Sequence, residues 1–310
     1  MLPVEFTDRL RRLLPPGRYD EVLETFRLPK GTTFRVNPLK SDPDSLKREL
    51  ESSGFHPEAI AWLPGAFRLP GNERRALTEH DAFYGGRLYI QNLSSMLAPL
   101  LLDPQPGERV LDLAAAPGGK TLMMAGMMEN RGWISAVEPV RERFHKLRKN
   151  IETAGATIIH TYQKDGRGVG RIVPENFDRV LLDAPCSSEA KFNTLRPKSF
   201  AFWSLRKIRE SQKLQKRLIL SAWQSLKPGG RLLYSTCSFA PEENEAVVDF
   251  LLEKQKNARV LPVELPVENA MNGVTRWEKK RYRPELIQTR RILPTREMDG
   301  FFLASIEKTL

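Results

Sequence analysis

The stretch that decides the fold is Arg109-Val-Leu-Asp-Leu-Ala-Ala-Ala-Pro-Gly-Gly-Lys-Thr121. Its first five residues predict a short buried strand, and the apolar residues from Lys120 to Met128 predict a helix. The small residues between them let backbone amides approach a ligand, and the N-terminus of the helix favours negative charge. The stretch therefore predicts a strand, a turn and a helix that together hold a nucleotide-like molecule.

Further strands and helices alternate beyond this unit. The predicted strands cover residues 133–137, 157–162, 177–182 and 231–234, and the predicted helices cover 141–153 and 211–226, with another helix from Pro241. The segment Pro228-Gly229-Gly230 is predicted to end the helix over 211–226. Alternating strands and helices indicate an α/β fold with a parallel sheet, whose ligands lie at the carboxyl ends of the strands.

The first 75 or so residues have a different pattern. Short amphipathic stretches alternate there with Pro and Gly, as in Pro15-Pro16-Gly17 and Pro70-Gly71. Thr33-Phe-Arg-Val-Asn-Pro38 predicts a short strand closed by a turn. We therefore expect two domains, a small α+β module over residues 1–80 and a larger domain over residues 81–310.

The composition allows a globular enzyme, and the charge favours a polyanionic partner. The chain has 310 residues and a formal net charge of +11, and basic surfaces release counterions when they bind phosphates. A soluble protein that is merely rich in Lys and Arg would look the same. There is no long apolar run and no basic, apolar start typical of a signal peptide, so we expect a cytoplasmic protein without a membrane partner.

Cysteine and histidine are scarce. Only Cys186 and Cys237 occur, and the four histidines lie far from them in sequence. This spacing predicts neither a disulfide framework nor a zinc site, and no metal is expected.

Three kinds of cofactor use a glycine turn of this type. The G-x-G-x-x-G pattern of dinucleotide-binding folds is absent. The phosphate loop of nucleoside triphosphatases is nearly matched, because Gly119-Lys120-Thr121 fits its end, but Ala114 replaces its first Gly. The strand Val180-Leu-Leu-Asp183 would also suit a magnesium site, so a P-loop nucleoside triphosphatase remains a competing interpretation.

Several residues favour S-adenosylmethionine instead. Pro117 removes a backbone N–H from the turn, which suits a loop with few phosphate contacts. Glu138 follows the second strand, where an acid can accept hydrogen bonds from both hydroxyls of a ribose. Asp165 follows the third strand, where it can accept from the amino group of adenine.

The two cysteines follow the fourth and fifth strands, which are neighbours in such a sheet. Both thiols are therefore expected beside the cofactor. A thiolate that adds to carbon 6 of cytosine makes carbon 5 nucleophilic enough to accept a methyl group. A basic neighbour such as Lys120 would lower the pKa of the thiol, and Asp183 is the candidate acid that protonates N3 of the ring.

These motifs together resemble a known family. The carriers of the resemblance are Asp183-Ala-Pro-Cys-Ser187, Leu226-Lys-Pro-Gly-Gly-Arg-Leu-Leu-Tyr-Ser-Thr-Cys-Ser-Phe-Ala-Pro-Glu-Glu-Asn-Glu245, Leu113-Ala-Ala-Ala-Pro-Gly-Gly-Lys-Thr121, Arg35-Val-Asn-Pro38, Gln91-Asn92 and Asp299-Gly-Phe-Phe302. They are similar to the RNA cytosine-5 methyltransferases of the bacterial Fmu/Sun and eukaryotic NOL1/NOP2/Sun group. The resemblance spans about residues 33 to 308.

The resemblance implies a class I methyltransferase fold with a Rossmann-like seven-stranded sheet, whose last strand, Gly300 to Ile306, runs antiparallel. It makes Cys237 the nucleophile and Cys186 the residue that releases product, a choice that the residues alone leave open. The implied cofactor contacts are Ala114, Ala115, Ala116, Pro117, Gly118, Gly119, Lys120, Glu138, Asp165 and Asp183. The implied substrate is rRNA, or else tRNA, methylated at carbon 5 of a cytosine.

The sequence departs from the family at Ser188, where Gly is common. That loop is expected to touch the target nucleotide. RNA affinity is expected from the N-terminal module and from basic residues beside the cleft, namely Arg196, Lys198, Arg206 and Lys207. We expect a monomer, and a catalytically inert RNA-binding or assembly factor remains an alternative.

Overall fold

The computed structural model of the protein describes residues 1–310 as eleven α-helices and fifteen β-strands. The helices are α1 (Val4–Leu13), α2 (Tyr19–Thr25), α3 (Pro43–Ser52), α4 (Arg74–Glu79), α5 (Asp81–Tyr84), α6 (Leu93–Leu102), α7 (Gly119–Met127), α8 (Arg141–Ala154), α9 (Val169–Ile172), α10 (Leu205–Ser225) and α11 (Glu245–Lys254). The strands are β1 (Thr32–Val36), β2 (Glu58–Ala59), β3 (Ala66–Leu69), β4 (Leu88–Ile90), β5 (Arg109–Asp112), β6 (Trp133–Val137), β7 (Ile159–Tyr162), β8 (Phe177–Asp183), β9 (Leu226–Thr236), β10 (Ala258–Leu261), β11 (Ala270–Asn272), β12 (Arg276–Trp277), β13 (Lys280–Arg281), β14 (Arg290–Ile292) and β15 (Phe301–Lys308).

A large sheet with the order β11-β14-β15-β9-β8-β5-β6-β7 forms the centre of the molecule. Strands β5 to β9 run parallel to one another, and β15 pairs antiparallel with β9, as expected for the class I fold. The sheet has nine strands rather than the seven predicted. Six of the nine correspond to segments located from the sequence, and the other three lie beyond β15. The short strands β10 and β14 share the free edge of β15, and β11 extends the sheet beyond β14.

The two faces of this sheet are covered by different helices. Alternate residues of a strand point to opposite faces, so Val180 and Leu182 pack towards α10 and α11, while Leu181 packs towards α6, α7 and α8. All three side chains are fully buried. Burial of one such side chain contributes about 1.5–3 kcal/mol to the free energy of folding. This burial fixes which face of each strand packs against which helices.

Two predicted boundaries were wrong. Helix α10 begins at Leu205 rather than at residue 211, because Ser204 caps it by accepting a hydrogen bond from the N–H of Lys207. The segment Pro228-Gly229-Gly230 lies within β9 rather than after a helix. Leu226 already pairs with Phe177 of β8, and the next pair is Arg231 with Arg179, so the extra residues form an irregularity in β9.

The N-terminal region has a sheet of its own. Strands β2, β3, β1 and β4 form it in that order, and a small separate core containing Phe34, Leu46 and Phe67 lies beneath it. Helices α1 and α2 pack instead into the large core, where the ring of Phe6 lies 4.9 Å from the ring of Phe192. The domain boundary after residue 80 stays a prediction.

No helix of the chain combines the length and the apolar character that a membrane crossing requires.

Candidate active site at the carboxyl ends of the strands

A cavity of about 540 Å³ opens where β5, β8 and β9 end. Its volume lies within the range of about 300–1,000 Å³ that is typical of small-molecule sites. Most of the predicted site residues line it, namely Ala114, Ala115, Ala116, Pro117, Gly119, Lys120, Asp183, Cys186 and Cys237. The parallel strands thus bring the glycine turn and both thiols to one place.

Three predicted cofactor residues do not line this cavity. Gly118 lies at the start of α7 with a φ of 111°, a left-handed conformation that favours glycine. Glu138 is buried and accepts a hydrogen bond from the N–H of Val140 at 3.0 Å. Asp165 is bound to the side chain and the N–H of Arg167. The cofactor contacts of all three residues stay predictions.

Two arginine side chains donate hydrogen bonds to carbonyl oxygens of the glycine turn. Arg143 donates to the carbonyl oxygen of Ala116 at 2.6 Å, and Arg35 donates to that of Gly119 at 3.0 Å. Arg35 is buried, and burial lowers its pKa to about 10. A methyl group on Gly119 would lie 2.9 Å from the ring of Tyr89, so the turn packs closely against β4.

Lys120 and Asp183 form an ion pair across the cavity. The Nζ atom of Lys120 lies 2.7 Å from an Oδ atom of Asp183 and 2.6 Å from the hydroxyl of Ser95. The other carboxylate oxygen of Asp183 accepts from the hydroxyl of Ser235 at 2.9 Å. Lys120 was expected to lower the pKa of a thiol, but its ammonium group is held by these two partners.

The two thiols contact each other. The Sγ atoms of Cys186 and Cys237 lie 3.3 Å apart. The hydrogen bond from Cys186 lowers the pKa of Cys237 to about 6 against the opposing effect of burial, and the positive charge of Lys191 contributes in the same direction. The same hydrogen bond, together with burial and the charge of Cys237, raises the pKa of Cys186 well above its usual value.

Hydrogen bonds join the loops that carry the two cysteines. Glu243 accepts from the N–H and the hydroxyl of Ser187, and the hydroxyls of Ser187 and Ser238 lie 3.0 Å apart. Glu189 accepts from the hydroxyl of Ser238 at 3.1 Å. Burial raises the pKa of Glu243 to about 7, and the bonds from Ser187 oppose this shift. The two loops therefore behave as one hydrogen-bonded unit.

Four charged residues that line the cavity were not among the predicted site residues. They are Asp112, Arg143, Lys191 and Asp299. Asp112 is the last residue of β5. Glu138 and Asp165 were predicted as site residues because they follow strands, and the same pattern would have found Asp112. Lys191 lies in the loop that departs from the family, and its positive charge was the one feature of the sequence that could have marked it as a site residue.

No group of His, Cys, Asp and Glu side chains in the chain is arranged to hold a metal ion.

Two family models match consecutive parts of the chain. The 16S rRNA methyltransferase RsmB/F model matches residues 99–307, and the model of the N-terminal domain of 16S rRNA methyltransferase RsmF matches residues 2–93. The first match alone covers more than half of the chain.

Curated relatives with this similarity include archaeal, bacterial and human enzymes. A tRNA (cytosine(49)-C(5))-methyltransferase of Pyrococcus abyssi is 42% identical over 90% of this chain and 89% of that protein. Ribosomal RNA small subunit methyltransferase F of Cronobacter sakazakii is 34% identical over 99% of this chain and 63% of that protein. A human 28S rRNA (cytosine(4447)-C(5))-methyltransferase is 36% identical over 97% of this chain and 37% of that protein. The chain thus spans less than two thirds of the length of the Cronobacter and human proteins.

Solved structures of similar fold include two archaeal proteins. The crystal structure of a methyltransferase homolog protein from Pyrococcus horikoshii is 33% identical over the whole of both chains, with a TM-score of 0.82. NSun6 from Pyrococcus horikoshii shares the fold at 23% identity, with a TM-score of 0.83 over 99% of this chain and 98% of that chain. The family, the fold class, the enzyme class and the cofactor S-adenosylmethionine that the motifs predicted are therefore confirmed, and the P-loop interpretation was wrong. The chain belongs to the 16S rRNA methyltransferase RsmB/F family, and its relatives from Pyrococcus abyssi and human are named as RNA cytosine-C5 methyltransferases.

Proposed function

We propose that this protein methylates carbon 5 of a cytosine in rRNA or tRNA through a covalent bond between Cys237 and carbon 6 of the base. The observation that carries the proposal is the pair of thiols 3.3 Å apart in the cavity that the glycine turn also lines. A cytoplasmic location is part of the proposal.

The residues around the glycine turn fit S-adenosylmethionine, which supplies an electrophilic methyl group when it is bound. One carboxylate oxygen of Asp112 accepts from the hydroxyl of Thr121 at 2.6 Å, whereas the other is buried without a partner. Burial raises the pKa of Asp112 to about 6. A buried carboxylate oxygen without a partner suits a positively charged group such as the amino group of the cofactor. Residues 114 to 120, with Glu138, Asp165 and Asp183, would hold the rest.

Cys237 is the proposed nucleophile because its thiolate is the more stable of the two. A pKa of about 6 leaves most of the Cys237 thiol ionised at neutral pH. The thiolate adds to carbon 6, and the electron pair of the 5,6 double bond moves onto the ring. Asp183, which Lys120 and Ser235 hold in place, is proposed to hold a proton at N3 that offsets this charge.

Cys186 is the proposed helper in product release. Two of the causes that raise its pKa are the hydrogen bond with Cys237 and the negative charge of Cys237. Both disappear when the Cys237 sulfur is bonded to carbon 6. Cys186 is then able to release its proton to solvent and take the proton from carbon 5. The electron pair of that bond restores the double bond and expels the sulfur of Cys237.

RNA is the proposed substrate because both rRNA and tRNA enzymes occur among the relatives. The chain contributes a net charge of +11, and Lys198, Arg206 and Lys207 are exposed on the segment that follows the Cys186 loop. Since the cysteines must reach the edge of a base, we expect unpaired or splayed cytosines to be preferred.

Bisulfite sequencing tests the proposal. Total rRNA and tRNA are incubated with the protein and S-adenosylmethionine, and sequenced beside samples incubated with Cys237→Ala. We expect a cytosine that resists conversion only with the wild-type protein, and its position distinguishes rRNA from tRNA. Full conversion of every cytosine in both RNA classes would contradict the proposal and favour an inert RNA-binding factor.

A further inference from the structure

The cavity contains one cation that no acid neutralises. Lys120 is paired with Asp183, and Arg143 is 3.5 Å from Glu138. Asp299 is paired with Lys30 at 3.2 Å. Lys191 also lines the cavity, and its side chain makes no hydrogen bond and no ion pair with the protein.

The backbone fixes Lys191 beside Cys237. Residues 189–191 form a single helical turn in which the N–H of Lys191 donates to the carbonyl oxygen of Ser188 at 3.0 Å. The N–H of Ala190 donates to the carbonyl oxygen of Cys237 at 3.1 Å. The hydroxyl of Ser188 lies 3.6 Å from the Sγ atom of Cys237. These contacts hold the backbone of this short segment against Cys237.

We propose that Lys191 is a positioning residue whose positive charge keeps Cys237 in the thiolate form that attacks the base. This proposal rests on the proposed function, since it takes Cys237 as the nucleophile. A fixed cation near a thiolate stabilises it by Coulomb attraction, and the effect is reduced where solvent reaches the cation. Lys191 is exposed at the mouth of the cavity, so a moderate effect is expected.

Several other groups face Cys237 and must be considered with it. Cys186 donates a hydrogen bond and lowers the pKa of Cys237, whereas the carboxylate of Asp183 raises it. Asp299 borders the same cavity from the start of β15. Asp183 and Asp299 have their own cations, Lys120 and Lys30, which leaves Lys191 as the cation available to the thiolate.

The test uses alkylation of the protein itself, with neither RNA nor cofactor. Because the chain has two cysteines, the Cys186→Ala protein has Cys237 as its single thiol. The rate of iodoacetamide alkylation is measured from pH 5 to 9 in this background and with Lys191→Met, Lys191→Arg or Lys198→Met added. Lys198 is an exposed lysine of the same segment that does not border the cavity, so Lys198→Met is the matched control.

We expect Lys191→Met to raise the midpoint of alkylation by about 0.5 to 1 pH unit, which slows the reaction about three- to tenfold below the midpoint. Lys191→Arg and Lys198→Met should keep the midpoint of the parent. An unchanged midpoint in Lys191→Met, with all variants folded by circular dichroism, would overturn the proposal.

A second measurement separates this role from a contact with RNA. With Cys186 present, Lys191→Met should move the acid limb of kcat/KM to higher pH and leave KM for RNA near the wild-type value. A rise in KM with an unmoved acid limb would overturn the proposal and indicate a phosphate contact. If Cys237→Ala still methylated RNA, the proposed function would fail, although the alkylation result would stand.

Discussion

The Sγ atom of Cys237 lies 3.3 Å from the Sγ atom of Cys186, although the two residues are 51 positions apart in sequence. The adjacency of β8 and β9 brings them together, because Asp183 and Ser235 are paired at the ends of these parallel strands. Two thiols at this distance share one proton more readily than they bear two charges, so one becomes the thiolate and the other its donor.

Replacement of Cys237 and replacement of Cys186 should therefore have different effects. Cys237→Ala removes the proposed nucleophile, and we expect methylation to fall by about three orders of magnitude or more. Cys186→Ala retains attack but impairs release, so RNA should stay covalently bound to the protein. Denaturing gel electrophoresis with labelled RNA measures the adduct. An adduct on Cys237→Ala and none on Cys186→Ala would reverse the two roles.

The pH dependence of methylation should follow the ionisation of Cys237. The pKa of this thiol is lowered to about 6, so the thiolate predominates above that pH and is lost below it. We expect kcat/KM to be nearly constant from pH 7 to 8 and to fall about tenfold per unit well below pH 6. Measurement across pH 5 to 8 at constant ionic strength checks this. An acid limb centred near pH 8 would contradict the lowered pKa.

Gly119→Ala should weaken the binding of S-adenosylmethionine. The added methyl group would lie 2.9 Å from the ring of Tyr89 and 3.2 Å from the amide oxygen of Gln91, which both border the cavity. We expect the turn to shift and the dissociation constant to rise about tenfold, or about 1.4 kcal/mol. Isothermal titration calorimetry measures it. Gly168→Ala, whose methyl group would contact nothing within 4 Å, is the control and should bind normally.

The buried ion pair of Arg291 and Glu245 should be important for stability. Their side chains are 3% and 0% exposed, and Arg291 also donates to the carbonyl oxygen of Phe239 at 2.9 Å. Arg291→Met leaves the buried carboxylate of Glu245 without a cation and with the N–H of Val274 as its remaining partner, which costs about 3–5 kcal/mol in the free energy of unfolding. Urea denaturation measures the change. Arg259→Met breaks a more exposed pair with Glu307 and should cost no more than about 1 kcal/mol.

The sequence patterns located the strand ends better than the residues that depend on loop conformation. The strand at Arg109 and both cysteine positions followed from apolar runs and from the rule that parallel strands end at one edge. Lys191 was missed because its position depends on a hydrogen bond between the N–H of Ala190 and Cys237, which no local pattern encodes. The strands β10, β11 and β14, which the sequence did not locate, are only three or four residues long, too short to show an alternating pattern.

Local chemistry also misled the prediction at Pro228-Gly229-Gly230. These residues usually end a helix, and they do follow one, but pairing with β8 continues on both sides of them. Long-range hydrogen bonds overrode the local preference there. The proposed cofactor roles of Glu138 and Asp165 depend on side-chain orientation, which the order of strands does not determine.

The bonds between Ser187, Ser238, Glu189 and Glu243 have a consequence for enzyme engineering. A designer who wishes to retarget the enzyme would naturally graft the Cys186 loop of a relative with another RNA preference. Such a graft would lose the hydrogen bonds to Ser238 and Glu243 in the segment after β9, unless both segments came from the same relative. Chimeras that exchange residues 186–191 together with 237–245 should retain a working pair of thiols, whereas chimeras with either half alone should not.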